Sequence, residues 1–69
     1  MNRQGVKSSN IKSIGYDSSS QLLEVEFTDG TVYQYKDVPQ DKYNDLINAD
    51  SIGRYFMQNI RGKFTTEKQ

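Results

Sequence analysis

The stretch Leu22–Lys36, LLEVEFTDGTVYQYK, places two alternating apolar runs on either side of Asp29-Gly30. An Asp-Gly pair between two such runs is the strongest short-range signal for a β-hairpin. In Gln21–Phe27, Leu23, Val25 and Phe27 share one face while Glu24 and Glu26 share the other, the pattern of a half-buried antiparallel strand. In Thr31–Lys36, Thr31, Tyr33 and Tyr35 share one face, and Val32, Gln34 and Lys36 the other.

The turn decides which face receives the tyrosines. A two-residue Asp29-Gly30 loop pairs Phe27 with Val32 and sets the rings beside Glu24 and Glu26 on the outer face. A three-residue Thr28-Asp29-Gly30 loop, with Gly30 left-handed in a bulge, pairs Phe27 with Thr31, so that Val25 faces Tyr33 and Leu23 faces Tyr35. A one-residue slip exchanges the two faces completely. Only 33% of the chain is hydrophobic and 12% is aromatic, so the core needs those rings. The bulged turn is therefore the expected one.

Sixty-nine residues make one domain, which buries only about 60% of its unfolded surface. There is no cysteine and no histidine. That removes disulfides, thiolate nucleophiles, imidazole bases and the usual zinc ligands. No apolar run approaches the ~20 residues that span a bilayer, and Met1–Asn10 lacks the apolar region of a signal peptide, so a cytoplasmic protein is expected. The net charge is zero but unevenly spread: Met1–Lys12 carries +3, Ser13–Asp50 carries −6 and Ser51–Gln69 carries +3. A neutral total argues against a general DNA coat, yet the polarity allows a local basic patch.

Outward from the hairpin, Asn10–Tyr16 is a short strand with Ile14 and Tyr16 on one face and Ile11 on the other. Gly15 weakens it or marks a bulge. Asp17–Ser20 is a turn cluster. Met1–Ser9 is a frayed polar arm. Pro39 suits a first helical turn, with Asp37 or Val38 placed as its cap. Gln40–Asn48 then shows Tyr43, Leu46 and Ile47 at helical spacing. Asp50-Ser51 caps a second helix carrying Ile52, Tyr55, Phe56 and Ile60, closed by Arg61-Gly62. Phe64 is placed to fold back over the sheet edge. The fold class is α+β: a three-stranded antiparallel meander packed on one face by two short C-terminal helices, with a short C-terminal strand as an option. The domain spans residues 6–64, and residues 1–5 and 65–69 read as disordered tails.

The order of these signals resembles a known family. Ser8-Ser9-Asn10-Ile11, Ile14-Gly15-Tyr16-Asp17, Leu23–Phe27, Gly30, Val32–Tyr35, Val38-Pro39, Tyr43, Leu46, Ala49-Asp50-Ser51, Gly53 and Tyr55-Phe56 are similar to the KTSC domain. That family is named for a segment at the C-terminus of some lysyl-tRNA synthetases and also occurs as stand-alone bacterial and phage proteins. The resemblance covers Val6 to Phe64, and the family's central Y-x-Y is Tyr33-Gln34-Tyr35 here. It implies an uncharacterised domain for which RNA binding is suggested by the synthetase context. Met57 stands where the resemblance leads one to expect asparagine.

Two readings of the aromatic pair stay open. Tyr33 and Tyr35 form either a stacking platform for single-stranded RNA or core rings with hydroxyls at the edge. Arg54 and Arg61, seven residues apart, fall on one helical face with Lys63 just beyond, and Lys36 adjoins Tyr35. These cations are candidate phosphate contacts, or else a solvated face that suits the helix dipole. Glu24 and Glu26 on an open strand are expected to be solvated, as are Asp41 and Asp45. Gly53 is expected to be a close-packing point against the sheet. No nucleophile–base–orienter set can be assembled, so no enzyme, no metal and no small-molecule cofactor are expected. The partner expected is RNA, contacted by Tyr33, Tyr35, Lys36, Arg54, Arg61 and Lys63. The alternative is a protein partner or a second copy of the chain.

Overall fold

Leu23 lies opposite Tyr35 and Val25 opposite Tyr33 in the computed structural model, which describes residues 1–69. The three-residue turn produces this register. The Phe27 N–H donates to the Thr31 carbonyl at 2.8 Å, the Gly30 N–H donates to the Phe27 carbonyl at 2.9 Å, and Gly30 takes φ +93°. Asp29 Oδ1 accepts both the Thr31 N–H at 3.0 Å and the Thr31 hydroxyl at 2.7 Å, which closes the loop locally. Those bonds, first the backbone one and then the hydroxyl, hold the Asp29 carboxyl below its ordinary range.

The elements are β1 (Gln4–Gly5), β2 (Ile11–Asp17), β3 (Leu22–Phe27), β4 (Val32–Tyr35), α1 (Gln40–Ile47), α2 (Ile52–Asn59) and β5 (Thr66–Lys68). All five strands form one antiparallel sheet in chain order. The expected three-stranded meander is thus the centre of a five-stranded sheet. Its edges come from the polar ends of the chain, read from sequence as disordered tails. Gln4-Gly5 and Thr66-Glu67-Lys68 are too short and too polar to show alternation, so periodicity passes over them. Both helices pack on the face that carries Leu23 and Val25, and the α+β class holds.

Strand β2 departs from the expected alternation. Ile11 pairs with Phe27 but Ser13 pairs with Glu26, so β2 carries one extra residue at Lys12. This bulge, which lies at Lys12 and not at Gly15, turns Ile11 and Ile14 onto the same face. Both are 1% exposed and belong to the core with Leu23, Val25, Tyr35, Val38, Leu46, Phe56 and Ile60. Burying a side chain of this kind contributes about 1.5–3 kcal/mol.

The helix starts differ. Ser51 caps α2 as expected, its hydroxyl accepting the Arg54 N–H at 3.2 Å. At α1 the capping position is Pro39, with no side-chain cap, while Asp37 takes φ +60°. Aspartate tolerates that left-handed turn better than most residues. The turn delivers Val38, 0% exposed, into the core, and the Val38 N–H donates to the Gln21 carbonyl at 2.9 Å. Tyr16 donates its hydroxyl to the Val38 carbonyl and stacks on Tyr43 of α1, with ring centroids 4.6 Å apart and planes 9° apart.

Part of the outer face of the sheet is covered by the N-terminal arm. Arg3 donates to Glu24 Oε2 and, at 3.1 Å, to the Ser13 hydroxyl. Ser13 in turn donates to Glu26 at 2.8 Å, and Gln34 donates to Glu24 Oε1 at 2.9 Å. The expectation of two solvated carboxylates is corrected for Glu24, which is 8% exposed. Burial alone raises its pKa, but the bonds from Gln34 and Arg3 outweigh burial and hold the carboxyl below the ordinary range. The arm reaches it because Gly15 has no side chain: a Cβ there would sit 2.7 Å from the Asn2 carbonyl oxygen.

Gly15→Ala therefore displaces the arm, at a cost of about 1–3 kcal/mol by overpacking, and separates Arg3 from Glu24. A depressed carboxyl stabilises the fold above its ordinary pKa and loses that contribution as pH falls through the lower, folded value. In the variant, Glu24 titrates at higher pH and acid destabilisation begins earlier. Carbon-detected NMR titration of the side-chain carboxyls and urea unfolding across the acid range measure both effects.

Candidate nucleic-acid interface

The bulged turn brings Phe27, Tyr33 and Tyr35 to the core face near one end of the sheet, where Phe56 of α2 meets them. Phe56 packs edge-on against Phe27 and Tyr35, each with ring centroids 5.5 Å apart, and Phe27 meets Tyr33 edge-on at 5.8 Å. Above these rings opens a cleft of about 520 Å³, walled also by Met57 and Arg61. Arg61 reaches it because α2 ends at Asn59: the Ile60 and Arg61 N–H groups both donate to the Phe56 carbonyl, at 3.0 and 2.9 Å, and the chain then turns through Gly62.

Tyr35 is 4% exposed, so its faces are taken by the core and it offers no platform for a stacked base. Core packing claims the ring because Leu23 lies opposite and Phe56 above. What it presents is the hydroxyl. That group has no hydrogen-bond partner in the chain, yet it is not sealed in, so it opens onto the cleft. Burial pushes the Tyr35 phenol up to about 12, Tyr33 adds to the rise, and the Arg61 guanidinium opposes it. Tyr33 is half-buried and keeps part of its ring on the cleft wall.

The sequence-derived cations separate. Arg61 shares the cleft with both tyrosines, and its Nη1 lies 3.5 Å from the Met57 sulfur. Arg54, exposed on α2, lines a neighbouring groove. Lys63 is exposed beyond Gly62 and lines neither. Lys36 is held by Glu67 of β5 at 3.1 Å, an exposed pair of the kind that contributes little. Arg54, Arg61 and Lys63 form no ion pair. The sequence reading did not assign Phe27, Phe56 or Met57 to the site. The strict alternation of β3 and the Tyr55-Phe56 pair were signals for a core, and only the packing shows that the edge of this core is open.

Residues 7–64 match the family model of the KTSC domain. The chain belongs to the KTSC domain family. A crystal structure of a KTSC domain protein from Yersinia pestis superimposes with a TM-score of 0.93 at 43% identity, covering 99% of this chain and 96% of that one. An uncharacterised protein of Stutzerimonas stutzeri is 47% identical over 58 residues, 84% of this chain and 82% of its own length. The lysine–tRNA ligase of Nostoc punctiforme is 43% identical over 58 residues, which cover 84% of this chain and 10% of the ligase. No helix of the domain is long and apolar enough to cross a membrane.

The facing of Arg61 and Tyr35 is open to test by titration. A phenol raised above its ordinary 10.0 binds its proton more tightly when folded. Its contribution is present below that pH and lost as pH climbs through the folded value near 12. In an ultraviolet phenolate titration, Tyr35→Phe removes the late-ionising step. Arg61→Ala moves that step still higher, because the opposing positive charge is gone. An unchanged step in Arg61→Ala would mean that the guanidinium does not face the ring.

Proposed function

We propose that this KTSC domain is an RNA-binding accessory module that receives an unpaired nucleotide at the cleft. The observation that carries the reading is the unpaired Arg61 guanidinium beside an aromatic wall and a free tyrosine hydroxyl. Single-stranded RNA is recognised by this combination of cation, aromatic ring and hydrogen-bonding edge. The match to a segment of lysine–tRNA ligases supports it from a separate direction. In this reading Arg61 contacts phosphate, the exposed part of Tyr33 lies against the base, and the Tyr35 hydroxyl hydrogen-bonds a base edge. Lys63 adds longer-range attraction, while the charge of Lys36 is largely offset by Glu67. The role is binding without catalysis, in a cytoplasmic setting and without a cofactor, since a chain lacking cysteine and histidine has few groups suited to proton transfer near neutral pH.

One observation favours a second reading. Met57 is 50% exposed at the cleft rim, and an apolar rim over aromatic edges also suits a protein partner or a second copy of the chain.

The readings separate in a backbone-amide NMR titration with single-stranded and hairpin RNAs, at low and then moderate salt. RNA binding shifts Tyr33–Lys36 and Arg61–Lys63, and the affinity falls log-linearly with salt. Arg61→Ala lowers the affinity and flattens that salt slope by about 0.7, the loss of one phosphate contact to a single strand. Absence of shifts at low salt with millimolar RNA overturns the RNA reading. Concentration-dependent shifts without RNA, indifferent to salt, would establish self-association instead.

A further inference from the structure

The aromatic cleft does not end at Met57. A second groove of about 370 Å³ lies on the far side of that residue, and Asn10 and Met57 line both. The groove runs between the segment Lys7–Asn10 and the start of α2, where Gly53 brings the helix close: a Cβ there would lie 3.3 Å from the Ser8 hydroxyl. Gly53 thus packs against the segment preceding β2, not against the sheet as expected from sequence.

The two depressions differ in chemistry. The cleft is walled by aromatic rings with one cation, Arg61. The groove is polar, walled by hydroxyls and amides, with Lys7 and Arg54 as its cations and Asp50 as its one acid. Neither Lys7 nor Arg54 is in an ion pair. Asp29 is the one acid of the cleft, and one of its carboxylate oxygens is occupied by Thr31.

We infer that cleft and groove form one continuous track for single-stranded RNA. The cleft takes a base, and Lys7, Arg54 and the Ser8 hydroxyl hold the backbone that leads from it. The inference rests on the RNA-binding reading above and adds Lys7 to the contact set. It follows from the covalent structure of the ligand: a nucleotide strand carries flat apolar faces and anionic linkages in alternation. A surface that joins an aromatic cleft to a cationic polar groove across Met57 and Asn10 is complementary to that alternation.

The test uses the full chain with a short single-stranded oligouridine and, separately, uridine monophosphate. With the oligomer, amide shifts extend from Tyr33–Tyr35 and Arg61 to Lys7–Asn10 and Ser51–Arg54. With the monophosphate they stay at the cleft. Lys7→Ala and Arg54→Ala, both at exposed positions that leave the fold intact, each flatten the salt slope for the oligomer by about 0.7 and leave monophosphate shifts unchanged. Oligomer shifts confined to the cleft, with the wild-type slope in Lys7→Ala, overturn the track while leaving RNA binding at the cleft in place. Shifts confined to the groove overturn the continuity. Failure of the oligomer to bind at low salt removes the RNA reading itself, and the track with it.

Discussion

The residue that the rest of this structure depends on is the extra one in the turn. With three residues between Phe27 and Thr31, Tyr33 and Tyr35 fall on the same face as Leu23 and Val25. A two-residue loop would have moved both rings to the outer face and left the core without two of its larger side chains. Gly30 at φ +93° makes the left-handed step available, and Asp29 holds the loop through Thr31. A loop hydrogen-bonded within itself and a core short of apolar groups select the same register, so local and tertiary preferences agree.

The two faces of the sheet are treated differently. Helices α1 and α2 cover the inner face, and the N-terminal arm crosses part of the outer one. The arm is held by polar contacts, which need a partner inside the sheet to reward burial of a charge. Glu24 is that partner: it is buried, and Arg3 and Gln34 satisfy both of its oxygens. Gly15 leaves the space through which the arm approaches. The short strands β1 and β5 then cap the two edges of the meander, where exposed N–H and C=O groups would otherwise invite pairing with other chains.

The cleft is where this economy is incomplete. Phe27, Tyr33, Tyr35 and Phe56 pack edge to face, an arrangement that contributes beyond area burial but leaves ring edges uncovered at the end of the sheet. Arg61 stands beside them because α2 ends two residues before it. The tyrosine pair therefore serves the fold first. Tyr35 builds the core with its ring and reaches the surface only through its hydroxyl, while Tyr33 divides its ring between core and cleft. Under the proposed RNA-binding role, structure and recognition would draw on the same two side chains.

Much was legible in sequence alone: the hairpin, its register as the favoured of two, the faces of the two hairpin strands, the two helices with the Ser51 cap, and the family. These rest on short-range signals, periodicity and turn chemistry, that neighbouring residues carry between them. Tertiary structure decided the rest. The bulge at Lys12 that turns Ile11 inward has no local signature, because isoleucine suits either face. The edge strands depend on main-chain bonds to β2 and β4, which their polar side chains do not announce. Whether Glu24 is solvated depended on Arg3, twenty-one residues away. The sequence set Arg54 and Arg61 on one helical face, but the end of α2 sends one to the cleft and the other to the groove. Contacts between residues distant in the chain are invisible to periodicity, and the candidate site is made of such contacts.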